Sequence, residues 1–250
     1  MPAMKAVAII PARLGSTRLA RKALREILGK PMVGHVYEAA RRCPGLAEVI
    51  VATDSDEILA VCKQHGWAAR MTSADCRSGT DRVREVAQTV AADVYVNVQG
   101  DEPLARPEHI QAMLDLMRDP KVEVATVKTP CPEHDVANPN AVKVVTDLAG
   151  RALYFSRSTI PLDRDATSDS KPRYFKHRYY KHLGFYAYRK PALERFCALP
   201  ESALERAERL EQLRFLENGI AIQVAEVPFD TVGVDTEEDL RRVEDILKAR

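Results

Sequence analysis

Residues 47–66, AEVIVATDSDEILAVCKQHG, contain a complete strand, loop and helix. The run from Glu48 to Ala52 is apolar and mostly β-branched, which suits a buried strand, and it ends on Thr53 and Asp54. Ser55 or Asp56 then offers a side-chain oxygen to cap a helix over 56–65, and Gly66 stops that helix. A strand that feeds directly into a helix is the repeating unit of a parallel sheet. The same alternation extends in both directions. Short apolar runs at 7–10, 94–98 and 122–127 are bounded by Gly, Asp or Pro, and 33–42 and 82–90 carry helical periodicity. The expected fold is α/β, a mostly parallel sheet flanked by helices.

The middle of the chain reads differently. After Pro103 come a helical stretch over 110–117, the strand at 122, and a Pro-rich connector, TPCPEHDVANPN. AVKVVTDLAGRALYFS then predicts a hairpin that turns at 148–150. Residues 163–181, DRDATSDSKPRYFKHRYYK, are polar, basic and aromatic, and are expected to form a mobile surface loop. Order returns with a strand at GFYAYRK, one charged amphipathic helix over 202–219 stopped by Gly219, a strand at IAIQVAEV and a terminal helix at TEEDLRRVEDILKAR. No internal repeat or low-complexity tract interrupts this order.

A chain of 250 residues buries a full core and suits a single domain over 1–250. The formal net charge is +1, so no global field draws the protein to nucleic acid or an anionic membrane, and neither partner is expected. Five scattered cysteines without CxxC spacing suggest neither a disulfide framework nor a zinc site, which fits a reducing cytoplasm. The apolar run near the N-terminus is too short for a membrane span or a signal core, so a cytoplasmic, non-inserted protein is expected.

Residues 7–24, VAIIPARLGSTRLARKAL, place Arg13, Arg18, Arg21 and Lys22 around a Gly15, Ser16, Thr17 loop at the end of the first strand. Ligands of open α/β sheets bind beyond the carboxyl ends of the strands. The spacing matches neither GxGxxG nor GxxxxGK[ST]. What remains is a short loop that offers backbone amides and cations to a flexible polyphosphate, with a nucleoside triphosphate as the natural candidate. Arg18 and Arg21 read equally well as solvated surface charges. A polyphosphate brings Mg²⁺, which takes one or two protein carboxylates alongside phosphate oxygens. Asp101 follows an apolar strand in VYVNVQGDEP, and Asp235 precedes the last helix in TVGVDTEEDL. Each also has a plain structural reading, Asp101 as a turn residue after Gly100 and Asp235 as a helix N-cap.

The motifs IIPAR.GSTRL..K, GKPM..HVYE, VIVATD, SGTDR, VNVQGDEP, NPNAVKVV.D..G.ALYFSRS.IP, KHLG.YAYR, LEQLR.LENG and GVDT.EDL together resemble the 3-deoxy-manno-octulosonate cytidylyltransferase family. They run from about Val7 to Val243. The resemblance implies a Rossmann-like fold of the nucleotide-diphospho-sugar transferase type, with a sugar-binding and dimerisation subregion at about 130–190. It implies transfer of CMP from CTP to the C2 hydroxyl of 3-deoxy-manno-octulosonate (Kdo), with release of pyrophosphate, a Mg²⁺ requirement, a homodimer, and supply of activated Kdo for lipopolysaccharide. By motif position, Arg13 and Lys22 would hold the triphosphate, and Asp101 and Asp235 the metal. Pro11, Ala12, Gly15, Ser16, Thr17, Ser78, Gly79, Asp81, Arg82 and Gln99 would form the CTP site. Gln99, Arg157, His182, Tyr186, Glu211 and Gln212 would hold the sugar. Read without the family, His182 is equally a satisfied structural histidine, and Glu211 with Gln212 equally a solvated helix face.

One segment departs from the family. The usual run STRLPGKPL is here STRLARKAL, so Ala20, Arg21 and Ala23 stand for Pro, Gly and Pro while Lys22 is retained. The change removes backbone restrictions and leaves this loop free to be more helical or more mobile. Competing readings are a cytidylyltransferase for a related acid such as 8-amino-Kdo or sialic acid, a module that binds nucleotide sugars without catalysis, and a glycosyltransferase. The last would use TDSDE as a metal motif, but Asp54 and Asp56 read more simply as loop and cap residues.

Overall fold

The computed structural model describes residues 4–15, 19–164 and 179–249. The expected loop at 163–181 therefore falls mostly outside the described residues, as do Ser16, Thr17 and Arg18. In chain order the strands are β1 (Ala6–Ala12), β2 (Glu26–Ile27), β3 (Lys30–Pro31), β4 (Glu48–Thr53), β5 (Ala69–Met71), β6 (Val94–Asn97), β7 (Val124–Pro130), β8 (Lys143–Thr146), β9 (Ala152–Ser156), β10 (Tyr180–Arg189) and β11 (Gln223–Glu226). The helices are α1 (Met32–Arg41), α2 (Asp56–Gln64), α3 (Gly79–Thr89), α4 (Pro107–Leu116), α5 (Glu133–Val136), α6 (Lys190–Ala198), α7 (Ala203–Glu208), α8 (Leu213–Glu217) and α9 (Glu237–Lys248).

The main sheet runs β11-β7-β10-β6-β1-β4-β5. β1 pairs in parallel with both β4 and β6, and β4 with β5, as strand–helix alternation requires. β10 is antiparallel to both β6 and β7, so the last part of the 130–190 stretch forms an inner strand of the main sheet. The hairpin β8–β9 is present, with Gly150 in the left-handed region at φ 77° where its turn needs it.

The alternation along β1 divides the core. Ala8 and Ile10 face a cluster built with α1, α2 and α4. Val7 and Ile9 face a second cluster with α3, α6, α8 and the β8–β9 hairpin. A third cluster joins Leu19, Ile27 and Met32 to Leu104, Val234, Leu240 and Val243, which fastens α9 beside the Lys22 segment.

One expected element is corrected. Residues 202–219 form two short helices, α7 and α8, because Arg209 turns left-handed at φ 53°. Glu205, Leu210, Gln212, Leu213 and Phe215 are all buried, and no single helical face spans those positions. Breaking the helix buries all five, folds α8 back so that the Leu204 amide donates to Glu217 at 3.1 Å, and pairs Arg214 with Glu205 at 2.7 Å.

Candidate active site

A cavity of about 610 Å³ opens at the carboxyl ends of β1 and β6. Pro11, Ala12, Arg13, Gly15, Lys22, Ser78, Gly79, Arg82, Gln99, Asp101 and Asp235 line it, so the fold gathers nearly all the described members of the expected nucleotide set from five separate stretches of chain. Ala23, Cys76, Arg77 and Gly100 also line it and were not among the residues assigned to the site from the sequence. Gly100 carried a readable signal in its place at the strand end beside Asp101. A Cβ there would lie 2.6 Å from the Pro11 carbonyl oxygen, so only glycine lets the β1 and β6 loops approach this closely.

Ser78 and Gly79 bring the N-terminus of α3 to the cavity, where the partial positive charge of the helix end favours an anion. Asp81 acts one step back. Its carboxylate accepts from the amides of Arg77 and Ser78, each at 3.1 Å, in a capping box with Ser78, and it does not line the cavity. Arg82 is buried. Its guanidinium donates to Thr72 Oγ1 at 2.6 Å and pairs with Asp54, which fixes a neutralised wall rather than a mobile cation. Asp54 thus has a structural partner, and the cap of α2 is Ser55, with Asp56 the first helical residue.

Lys22 lies at the centre. Its Nζ is 2.6 Å from Asp101 Oδ2 and 2.9 Å from Asp235 Oδ1. Burial alone would lower its pKa, but the charges and hydrogen bonds of Asp101 and Asp235 outweigh burial and hold it above the ordinary lysine value. The backbone explains how it arrives there. Lys22 opens a single 3₁₀ turn, Lys22–Leu24, and Arg21 before it adopts φ 54°, the left-handed conformation that the family's glycine would take without strain. The altered loop therefore has a defined turn here. Arg21 pairs outward with Glu57 and does not line the cavity. The alternative role of Asp235 as a cap falls instead to Thr236, whose hydroxyl accepts from the Asp239 amide.

The two aspartates suit a hard divalent cation. Their oxygens already converge on one ammonium, which marks a point where positive charge is held by two carboxylates. No group of three or more His, Cys, Asp or Glu among the described residues forms a closed metal cage. Two carboxylates open to a cavity that can take a polyphosphate are the donor set Mg²⁺ uses when phosphate supplies its other ligands.

Behind this pair, burial pushes the Glu102 carboxyl up to about 8, with the Asp101 charge adding to the effect and a Thr231 hydrogen bond opposing it. Thr231 Oγ1 donates to Glu102 Oε2 at 2.6 Å.

The expected sugar residues are spread more widely. Gln99 is on the cavity wall, and a Cβ at Gly184, where β10 bulges against β7, would sit 3.9 Å from its Cγ. Tyr186 is buried opposite Asn97 in the β6–β10 register, and its hydroxyl has no hydrogen-bond partner among the described residues. Glu211 lies against Thr80, the second residue of α3, and burial raises its pKa. Gln212 is buried. His182 is also buried, 3.0 Å from Thr126 Oγ1 and edge-on to Phe155, and burial pulls its pKa down to about 3. Arg157 is committed to backbone, donating to Glu208 O at 2.8 Å, Pro139 O at 3.1 Å and Arg209 O at 3.4 Å. Its guanidinium holds the turn leading into Glu211. These residues form a belt beside the cavity, and of the six only Gln99 lines it.

The sheet order and the nucleotide-sized cavity at its carboxyl edge define a nucleotide-handling α/β protein, and the chain belongs to the cytidylyltransferase family, whose model it matches over residues 7–222. Within that family the chain is a member of the 3-deoxy-manno-octulosonate cytidylyltransferase group. It is 69% identical to the 3-deoxy-manno-octulosonate cytidylyltransferase of Koribacter versatilis (strain Ellin345), over 99% of this chain and 92% of that protein. It is 56% identical to the enzyme of the same name from Acidobacterium capsulatum, over 100% of this chain and 99% of that protein. A solved structure of CMP:2-keto-3-deoxy-manno-octonic acid synthetase complexed with CTP matches with a TM-score of 0.91 and 46% identity, covering 98% of this chain and 99% of that one.

Proposed function

We propose that this chain transfers CMP from CTP to the C2 hydroxyl of Kdo, releasing pyrophosphate. The convergence of Asp101 and Asp235 on the Lys22 ammonium, at the carboxyl edge of the sheet and inside a cavity large enough for a nucleotide, is the observation that carries this reading. Relatives named for this reaction at 56–69% identity, and a matching structure described as holding CTP, support it.

In this mechanism Arg13 and Lys22 bind the triphosphate and offset its charge. The α3 N-terminus at Ser78 and Gly79 presents amides to it. Asp101 and Asp235 would hold Mg²⁺, which when bound would supply neutralisation of phosphate charge. With the triphosphate bound, Lys22 would exchange its two carboxylate partners for phosphate oxygens. Gln99, at the border between the cavity and the β10 belt, orients the acceptor hydroxyl toward the α-phosphorus. The residues thus act by alignment and charge, without a covalent intermediate.

Tyr186, whose buried hydroxyl lacks a partner among the described residues, and Glu211 are the belt residues offered to the sugar hydroxyls. Arg157 serves the sugar through the turn it holds. The product feeds lipopolysaccharide synthesis in the cytoplasm. The protein acts as a homodimer that covers the β8–β9 hairpin, where Leu148 and Leu153 are exposed. No helix among the described residues is long and apolar enough to cross a membrane.

Pyrophosphate release by the purified protein with CTP and Mg²⁺ tests the proposal, comparing Kdo, 8-amino-Kdo and N-acetylneuraminate with no sugar. Release with Kdo alone is expected. Release only with another acid would reassign the acceptor, and silence with all three while CTP still binds would favour a non-catalytic module.

A further inference from the structure

Asp235 arrives at the site on a segment, 229–234, that contains neither helix nor strand. Chain without regular structure holds a side chain in place only if other contacts remove its freedom. Here the contacts are dense and come from two sides. From the Asp101 side, Glu102 Oε2 accepts from the Thr231 hydroxyl at 2.6 Å, and the Asp101 carbonyl accepts from the Val234 amide at 2.9 Å. Gly233 allows this approach, since a Cβ there would be 3.3 Å from Glu102 Oε1. From the β10 side, Lys181 Nζ lies 3.1 Å from Asp230 and 3.4 Å from the Thr231 carbonyl oxygen, and 3.1 Å from Asp135 of α5. Asp230 Oδ1 in turn accepts from the Thr231 amide at 2.8 Å. Thr231 is therefore engaged through its hydroxyl, amide and carbonyl at once, and it is buried.

Lys181 immediately precedes His182 on the strand that carries Tyr186. One chain of contacts thus joins the proposed acceptor belt to the carboxylate pair, through Lys181, Asp230, Thr231 and Glu102.

We propose that Thr231, braced by Glu102 and by the Lys181–Asp230 pair, is a positioning residue for the transfer reaction. It sets the Asp235 carboxylate opposite Asp101 and in register with the β10 strand. The proposal rests on the reading of Asp101 and Asp235 given above. Displacements of about 1 Å in a positioned group cost up to roughly 100-fold in rate, so loosening the brace should appear in turnover more than in nucleotide capture, to which Arg13 and the α3 N-terminus contribute from other segments.

The test uses the full chain with Thr231→Val, which keeps the shape and removes the hydroxyl, and Thr231→Ser, which keeps the hydroxyl. Asp230→Asn is a second route, because it weakens the Lys181 arm while retaining an acceptor for the Thr231 amide. Each variant is checked for folding by circular dichroism. kcat and KM for CTP are then measured, together with Mn²⁺ binding in the presence of CTP by electron paramagnetic resonance. Expected for Thr231→Val are a fall in kcat of about 10- to 100-fold, a KM for CTP within about threefold of wild type, and weakened Mn²⁺ binding. Thr231→Ser should recover most of both losses, and Asp230→Asn should fall between.

Wild-type kcat and Mn²⁺ binding in folded Thr231→Val, or in folded Asp230→Asn should Thr231→Val fail to fold, would overturn the brace if Asp235→Asn is itself inactive. Full activity and full Mn²⁺ binding in Asp235→Asn would instead overturn the assignment of Asp235, and the brace with it.

Discussion

Lys22 shows how one side chain acquires a role from its surroundings. An exposed lysine at a loop end would be a solvated charge, but this one is held between two carboxylates at hydrogen-bond distance. If its charge offsets the triphosphate as proposed, replacing it with alanine is expected to lower kcat/KM at least about 100-fold, or roughly 3 kcal/mol, in steady-state assays. Gly100 is fixed by sterics alone. Gly100→Ala places a methyl 2.6 Å from the Pro11 carbonyl oxygen, and a loss of about 1–3 kcal/mol should register as a lowered melting temperature.

His182 makes the opposite point. With its pKa pulled down to about 3 by burial, it stays neutral in the native protein, whereas the unfolded chain takes up a proton near pH 6.5. Its contribution to stability is therefore complete above about pH 6.5 and is lost progressively as pH falls toward 3. Its ring resonances should not titrate between pH 5 and 8 in NMR spectra, and a midpoint inside that window would contradict the burial argument. The sequence made the cavity-lining residues legible because cations, Gly and Asp collect at strand ends, where open sheets bind ligands. It left His182 and Arg157 ambiguous because their partners, Thr126 and the 139 and 208–209 carbonyls, are set only by tertiary contact.

At the level of elements, strand–helix alternation was readable because it is written in local periodicity. The 47–66 unit folds as its caps and stops dictate, with Ser55 accepting from the Ile58 amide and Gly66 at φ 70°. The failure at 202–219 has a specific cause. Charges and leucines there satisfy a helical pattern, and what breaks it is the pairing of Glu205 with Arg214 across the turn, together with burial of Leu210, Leu213 and Phe215. Arg214 also stacks on Phe196 at 4.4 Å. Arg214→Met strands the buried Glu205 carboxylate and should cost about 3 kcal/mol in denaturant unfolding. Adding Glu205→Gln should recover part of that loss, and a strictly additive double mutant would contradict the pairing. The break also delivers Glu211 to Thr80 at the start of α3, so it shapes the border of the site.

Over the whole molecule, the sheet collects residues distant in sequence at one edge. Parallel pairing of β1 with β6 sets Arg13 near Gln99 and Asp101, and the third core cluster seats α9 so that Asp235 closes the same cavity. Antiparallel β10 then lays Tyr186 opposite Asn97 of β6. That insertion was not visible in the chain's local pattern, since strand direction is decided by connections and not by residue type. Leu148 and Leu153 are exposed on the hairpin, the face that the proposed homodimer would cover. Light scattering should give the mass of two chains for the wild type and of one for Leu153→Glu.

The central claim is that the Lys22, Asp101 and Asp235 cavity joins CMP to Kdo. ³¹P NMR of wild type, Asp101→Asn and Asp235→Asn incubated with CTP, Mg²⁺ and Kdo follows the loss of the triphosphate and the appearance of product directly. The account predicts a new phosphodiester resonance with stoichiometric pyrophosphate for the wild type, and its loss in both variants while CTP binding persists. Undiminished product formation by either folded variant would contradict it.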